Sequence, residues 1–348
     1  MTGSSSQIAE LSKKVTDADM PKDLKSSVLT RLEQVGVLFG SETFLTEFDR
    51  INKYIDWILA LPWNKRTKDI LDLEFTKKVL DSNHFGLAEI KDRILEYVSI
   101  MKLKAEKGEG DDVLRAPILC FVGLVGTGKT TIAKSIAEAM GRKFARIPFG
   151  GMGDPLDLRG QSRMHAEAEP GKIIKALRET GARNSVFLLD EIDRVTAEGR
   201  ASLMGVLVEL LDPEQNKSFV DHYIDFPVDL SEILFVATAN NTNNLATAVV
   251  DRLEPIQMPS YTDTEKIAIG QKYMLPKILK QSGVPDGTIT IDDDVWTSIV
   301  RPLGFDAGMR TLQRTVQGVV RKVAKLIVEG KETQVRVTAQ NVKEFLPD

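Results

Sequence analysis

Gly123, Gly128, Lys129 and Thr130 fall in the stretch GLVGTGKTT, which fits the pattern G-x-x-x-x-G-K-[ST]. That spacing joins backbone able to wrap an anion with one fixed cation and one hydroxyl. Glycines permit close approach to phosphate, and backbone N–H groups at a following helix N-terminus add positive potential. Lys129 would reach β- and γ-phosphates, and the Thr130 hydroxyl would hold Mg²⁺. Gly126, Thr127 and Thr131 complete the cradle. A mere glycine-rich turn would need neither the Lys-Thr pair nor the apolar run PILCFV ahead of it.

A second apolar run, SVFLLDEID over 185–193, ends in carboxylates. Beside a phosphate loop, Asp190 would hold Mg²⁺ and Glu191 would orient and deprotonate an attacking water. The plainer alternative is an acidic helix N-cap following a strand. ILFVATAN ends at Asn240, whose amide could position that water or simply make a turn. AVVDRLEPI carries Arg252, suited to charge that develops on phosphate, or to a surface ion pair with Asp251 or Glu254. GFDAGMRTLQR places Arg310 at a helix start, where it could touch the nucleotide or face solvent.

These groups need rigid elements beneath them. Apolar runs at PILCFV, KFARIPF, SVFLLD and ILFVATAN alternate with helical patterns, which predicts an α/β fold with a parallel sheet flanked by helices. Before it, residues 7–60 read as helical, with Leu24, Val28, Leu32 and Val35, then Phe44, Phe48, Ile51, Ile55 and Ile58, at helical spacing. Pro62 ends that stretch, and KAEKGEGDD (104–112) reads as a loop. After a hinge at 259–263, helices are predicted over 264–281, 293–302 and 308–329, with a short strand at TQVRVT. The expected division is a helical segment 1–80, a nucleotide-binding domain 81–259 and a small helical lid 260–348.

The chain has 348 residues, 42% of them hydrophobic and 28% charged, which suits two or three globular domains. A net charge of -4 does not indicate nucleic acid as a partner. No apolar run approaches the roughly 18 residues that span a bilayer, so no membrane partner is expected. The single cysteine, Cys120, sits in an apolar run and points to a buried thiol in a reducing, cytoplasmic compartment. Three scattered histidines argue against zinc.

In this order, GLVGTGKTT, FLLDEID, VATAN, DRLEPI and DAGMRTLQ resemble an AAA+ ATPase. YIDWILALPWNKRTKD, LDSNHFGLAEIKDRILEY, GRKFARI and LDPEQNKSFVDHYIDFPVDLS are similar to the ATPase module of the Lon protease family. The resemblance runs from about residue 9 to the end. It implies an AAA+ P-loop NTPase fold with ATP and Mg as cofactors. His84, Phe85, Gly86 and Leu87 would line the adenine pocket. Asn240 would be sensor 1, Arg252 an arginine finger acting across subunits, and Arg310 sensor 2. It further implies a homo-hexamer that threads unfolded or damaged protein substrates through a pore, in the cytoplasm or the mitochondrial matrix.

Three departures bear on function. No Ser-Lys protease segment follows the lid, so ATPase activity without peptide hydrolysis by this chain alone is expected. Two prolines usual in the Lon phosphate loop are Leu124 and Val125 here, positions expected to shape the loop without donating to phosphate. The pore loop, with Met164 before it, reads His165, Ala166, Glu167, Ala168 and Glu169 in place of an aromatic-hydrophobic pair. An imidazole among carboxylates would grip substrate weakly or select against acidic segments. The alternative is a nucleotide-gated assembly or non-proteolytic remodeller whose pore loop is simply solvated.

Overall fold

The computed structural model describes residues 2–107, 118–165, 167–301 and 308–346. Part of the loop expected at 104–112, Ala166 of the expected pore loop, and the GFDA preceding Gly308 lie outside the described residues.

In chain order the elements are α1 (Thr2–Asp17), α2 (Lys22–Val37), α3 (Phe44–Ala60), α4 (Leu73–Asn83), α5 (Ala88–Glu106), β1 (Ile118–Val122) and α6 (Lys129–Ala139). Then follow β2 (Phe144–Pro148), α7 (Leu156–Arg159), α8 (Lys172–Thr180), β3 (Val186–Asp190), α9 (Arg200–Leu211), β4 (Phe219–Val220), β5 (Pro227–Val228) and β6 (Leu234–Ala239). The chain continues with α10 (Thr247–Val250), β7 (Leu253–Gln257), α11 (Asp263–Ile269), α12 (Leu275–Gln281), β8 (Ile289–Ile291), α13 (Trp296–Val300), α14 (Arg310–Val328), β9 (Val335–Val337) and α15 (Val342–Phe345). They form two compact units that interleave in sequence. The first comprises Met1–Asp72, Tyr97–Cys120 and Ala137–Pro255, the second Leu73–Glu96, Phe121–Ile136 and Ile256–Asp348.

In the first unit, the helical stretch 7–60 is three helices. α2 buries Leu24, Val28, Leu32 and Val35, and α3 buries Ile51, Tyr54, Ile55 and Ile58, one stripe each at 3.6-residue spacing. Pro21, at φ -54 and ψ 136, sets the extended residue between α1 and α2. α3 stops where Pro62 demands it: Leu61 is extended (φ -74, ψ 140), and Trp63 Nε1 donates to the Ile58 carbonyl at 2.8 Å.

The sheet runs β2-β3-β6-β1-β7. β3 lies parallel to β2 and to β6, with Leu189 opposite Ile147 on one side and Ala237 on the other. Every residue of β3 and β6 is buried, as unbroken apolar runs in a parallel sheet require. The sequence foretold four strands. The fifth, β7, contains Pro255 and so reads poorly as a strand, yet it lies at the sheet edge, where a missing N–H is tolerated.

The second unit gathers around the apolar stripe of α14, where Leu312, Val316, Val319, Val320 and Val323 pack with Trp296 and Ile299 of α13. α11 runs through a π-helical turn, Gly270–Met274, into α12, so the predicted helix over 264–281 is present with one wide turn in it. TQVRVT supplies β9, which pairs in parallel with β8, a strand the sequence did not announce. The π turn places Gly270 against Trp296: a Cβ there would lie 2.4 Å from the indole ring.

Gly270→Ala therefore overpacks a fully buried contact, with an expected loss of about 1–3 kcal/mol. Gly205, inside α9 with nothing within 4 Å of an added Cβ, is the contrasting site. Gly205→Ala is expected to gain about 0.5–1 kcal/mol from helix propensity. Chemical denaturation of both variants checks the pair; equal midpoints would contradict the packing account.

Candidate active site

β3 and β6 are neighbours, so Asp190, Glu191 and Asn240 leave the same edge of the sheet in the first unit. The register sets Thr238 beside Asp190. Its hydroxyl donates to Asp190 Oδ1 and accepts from the Glu191 N–H at 2.9 Å. Arg146 Nε donates to the other carboxylate oxygen at 2.6 Å. Asp190 and Thr238 are both buried, so each of these bonds meets a polar group that water does not reach.

Glu191 sits in the left-handed region, φ 58 and ψ 48. That conformation costs a side-chain-bearing residue roughly 1–3 kcal/mol and persists only where neighbours fix it. The Thr238 bond fixes its N–H, and Arg194 N donates to its carbonyl at 2.9 Å. The chain thereby turns off the strand at once and carries the carboxylate out of the buried row. Gly150 faces it: an added Cβ would lie 3.0 Å from Glu191 Oε2. Glu191 does stand at the N-cap position of the short 3₁₀ turn Ile192–Arg194, but its side chain makes no capping bond there. Asn240 is half-buried one residue beyond β6, and Asp193 Oδ2 accepts from the next N–H, that of Asn241, at 3.4 Å.

Arg252 follows α10. The ion pair anticipated with Asp251 or Glu254 is instead with Asp212, from Nη2 to Oδ2 at 2.8 Å, while Nη1 donates to the Ala248 carbonyl at 2.7 Å. That bond holds the Asp212 carboxyl below its usual range.

The phosphate loop belongs to the second unit. Gly126 and Gly128 have φ of +86 and +97, which only glycine adopts without strain. The loop's carbonyls are tied by its own side chains. Lys129 Nζ donates to Gly123 O at 2.6 Å and Leu124 O at 2.9 Å, Thr127 Oγ1 to Leu124 O at 2.9 Å, and Thr131 Oγ1 to Gly128 O at 2.7 Å. Leu124 serves through its carbonyl while its side chain is exposed. Thr130 lies in the first turn of α6, half-buried. The start of α14 abuts this loop: Met309 N donates to Gly126 O at 3.0 Å, and a Cβ on Gly126 would lie 3.4 Å from Arg310 Cγ. Arg310 is thus exposed yet adjoins the loop.

His84 to Leu87 form the turn between α4 and α5, with Gly86 at φ +63 and Leu87 at φ +55. The buried His84 ring bonds Ser135 Oγ of α6 through Nε2 at 2.9 Å. Lys91 Nζ donates to the His84 carbonyl and to Asp81 Oδ1, each at 2.7 Å. The Phe85 ring meets Tyr273 of the π turn edge-on, centroids 6.5 Å apart. Burial, and then the nearby Lys91 charge, lowers the His84 pKa to about 4, so the ring is neutral at pH 7.

Residues 119–261 match the model of the ATPase family associated with various cellular activities (AAA), and residues 280–336 match the Lon protease AAA+ ATPase lid domain. Over 345 residues the chain is 41% identical to Lon protease 2 of Thermus thermophilus, covering 98% of this chain and 42% of that protein. It is 41% identical over 340 residues to the Lon protease of Lawsonia intracellularis, and 40% over 339 residues to that of Halothermothrix orenii, covering 40% and 42% of them. The chain belongs to the Lon family of AAA ATPases. It spans about two fifths of the length of the Lon relatives it matches.

In this Lon-type chain the segment expected to form a pore loop lies in the first unit. Met164, His165, Glu167 and Glu169 are exposed, and Glu169 pairs with Lys175 at 2.5 Å. Arg163 anchors the segment: it stacks over the Tyr54 ring at 4.0 Å and pairs with Asp225 at 3.2 Å. A cavity of about 980 Å³ opens between it and α2–α3, and none of the nucleotide-motif residues lines it. Among the described residues, no helix is long and apolar enough to cross a membrane.

Sequence reasoning missed Thr238, Arg146, Gly150, Ser135 and Asp212. Only Thr238 carried a signal, as the one hydroxyl in a fully buried strand, and β-branching alone would also explain it.

The His84 shift fixes a pH dependence. A histidine whose folded pKa lies below its ordinary 6.5 contributes stability present above pH 6.5 and lost as pH falls toward 4. Between pH 7.5 and 5 this amounts to about 2 kcal/mol. Denaturation of the parent and of His84→Asn over that range is expected to give the variant the flatter profile; parallel profiles would contradict a neutral, buried His84.

Proposed function

We propose that this module hydrolyses ATP to ADP and phosphate with Mg²⁺, and that the cycle drives unfolding and translocation of protein substrates through a homo-hexameric ring. The observation that carries the reading is the pair at the end of β3: a buried Asp190 held by Thr238, followed by Glu191 in a left-handed turn. A structural acid at a strand end has no need of that strain.

In this reading the loop 123–131 and Lys129 take the phosphates, and the turn 84–87 takes the adenine. Thr130 through its hydroxyl and Asp190 through its carboxylate would hold Mg²⁺; both offer the hard oxygen donors that ion prefers. When bound, Mg²⁺ neutralises charge on the β- and γ-phosphates. Glu191 accepts the proton of the attacking water, and Asn240 orients that water. Arg252 stabilises the charge on a neighbouring subunit's γ-phosphate, and Arg310 reports nucleotide state to the lid. The adjoining Arg310 and Gly126 support that last role. Peptide hydrolysis requires a protease site that none of these residues supplies. The lone, buried Cys120 suits a reducing compartment such as the cytoplasm.

A second reading, a nucleotide-gated assembly that exerts no pull, is favoured by the pore segment. Glu167 and Glu169 are exposed where an aromatic wedge would serve, and Arg163 ties the segment to α3. ATP turnover with and without unfolded protein separates the two: stimulation supports the motor, indifference the assembly.

Lys129→Ala is expected to abolish ATP binding. Glu191→Gln is expected to bind ATP normally and lower turnover by about 100-fold or more, the loss of a general base. Nucleotide titration and a phosphate-release assay check both. Parental turnover in Glu191→Gln would overturn the assignment of the base.

A further inference from the structure

DPEQN, residues 212–216, is a segment that the nucleotide chemistry leaves without a task. We propose that Asp212, its first residue, is the positioning residue for the Arg252 guanidinium. The proposal rests on the reading of Arg252 as the group that acts on a neighbour's nucleotide.

Asp212 caps the C-terminal end of α9 in extended conformation, φ -87 and ψ 118. Its carboxylate is divided between two tasks. Oδ1 accepts from Glu214 N at 3.0 Å and Gln215 N at 3.2 Å, an Asx turn that folds the segment on itself. The Asp212 carbonyl accepts from Asn216 N at 2.9 Å, and the buried Asn216 in turn bonds Leu210 O at 3.3 Å and receives Leu230 N at 3.0 Å. The segment is therefore a fixed knot at the end of α9. Oδ2 faces the other way and receives Arg252 Nη2 at 2.8 Å.

Arg252 is held from a second direction. Nη1 donates to Ala248 O at 2.7 Å, one of the carbonyls left over at the end of α10. Its backbone carbonyl accepts from Ile118 N at 3.2 Å, which ties it to the start of β1. These two side-chain bonds leave three of the guanidinium's five N–H donors over. Two acceptors in different directions set both the reach and the plane of the group. A long side chain otherwise spreads over many rotamers, and all but one must be lost when it meets phosphate. Both partners are partly buried, at 29% and 20% side-chain exposure, so the pair is less screened than a fully exposed one.

The test is a double-mutant cycle on ATP turnover, with the full chain at a concentration where turnover per subunit no longer changes on dilution. Asp212→Asn keeps an oxygen for the Glu214 and Gln215 N–H groups and puts an amide in place of the acceptor for Arg252. Arg252→Ala is expected to lower kcat at least about 1,000-fold, the low side of an arginine finger's contribution. Asp212→Asn is expected to lower kcat about 10-fold with KM for ATP changed less than about 2-fold, the mark of lost orientation rather than lost binding. In the Arg252→Ala background, Asp212→Asn is expected to add less than about 2-fold.

Parental kcat in Asp212→Asn, with Arg252→Ala impaired, overturns the positioning role and leaves the finger standing. The same loss from Asp212→Asn in both backgrounds also overturns it, because Asp212 then acts through the fold of its own segment. Parental kcat in Arg252→Ala overturns both readings together.

Discussion

One hydroxyl, that of Thr238, holds the carboxylate-bearing end of the sheet together. It gives its proton to Asp190 and its lone pair to the Glu191 N–H, two groups that a buried strand end would otherwise leave in need of partners. The bond exists because β3 and β6 pair in one register, Leu189 with Ala237, which sets the next residues side by side. A shift of one residue would turn Thr238 to the other face and remove the clamp. The register rests on two unbroken, fully buried strands, so apolar packing fixes a polar contact. Gly150 is part of the same constraint, since any side chain there would crowd the carboxylate that the turn projects.

The second unit works by a related logic. The phosphate loop satisfies its carbonyls with its own Thr127, Lys129 and Thr131, so its shape does not wait on a ligand. α6 then carries that shape outward. Ser135, nearly two turns into α6, bonds His84, whose carbonyl in turn receives Lys91. The turn proposed for the base and the loop proposed for the phosphates are thus fixed to one helix. Neutral His84 is central to the arrangement, because a charged imidazole would be buried beside the Lys91 ammonium. α14 reaches the loop from the opposite end of the sequence through Met309 and Arg310.

Much of this was legible in the sequence, because the signals were local. Glycines, Lys129 and Thr130 announce a loop by their spacing alone, and SVFLLD announces a buried strand by its length and apolarity. Leu24 to Val35 gave α2 by period. Other features depend on what lies across the fold. Asp212 and Arg252 stand 40 residues apart, and nothing in either segment names the other. Thr238 reads as one more strand former until Asp190 is its neighbour. β7 was hidden by Pro255, which is harmless only at a sheet edge, and an edge is a property of the whole sheet. The left-handed conformation of Glu191 has no sequence signature, since the residues that hold it come from β6 and from the segment just after β3.

Thr238→Val against Thr238→Ser tests whether Thr238 holds Asp190 and Glu191 in the geometry proposed for ATP hydrolysis. Valine keeps the shape and β-branching of the strand residue and loses only the hydroxyl; serine keeps the hydroxyl. The valine variant is expected to bind ATP as the parent does and to lose about 10- to 100-fold in turnover, the scale of a misplaced catalytic group. The serine variant is predicted to stay within a few-fold of the parent. A folded valine variant with parental turnover would show that the Thr238 hydroxyl has no part in hydrolysis.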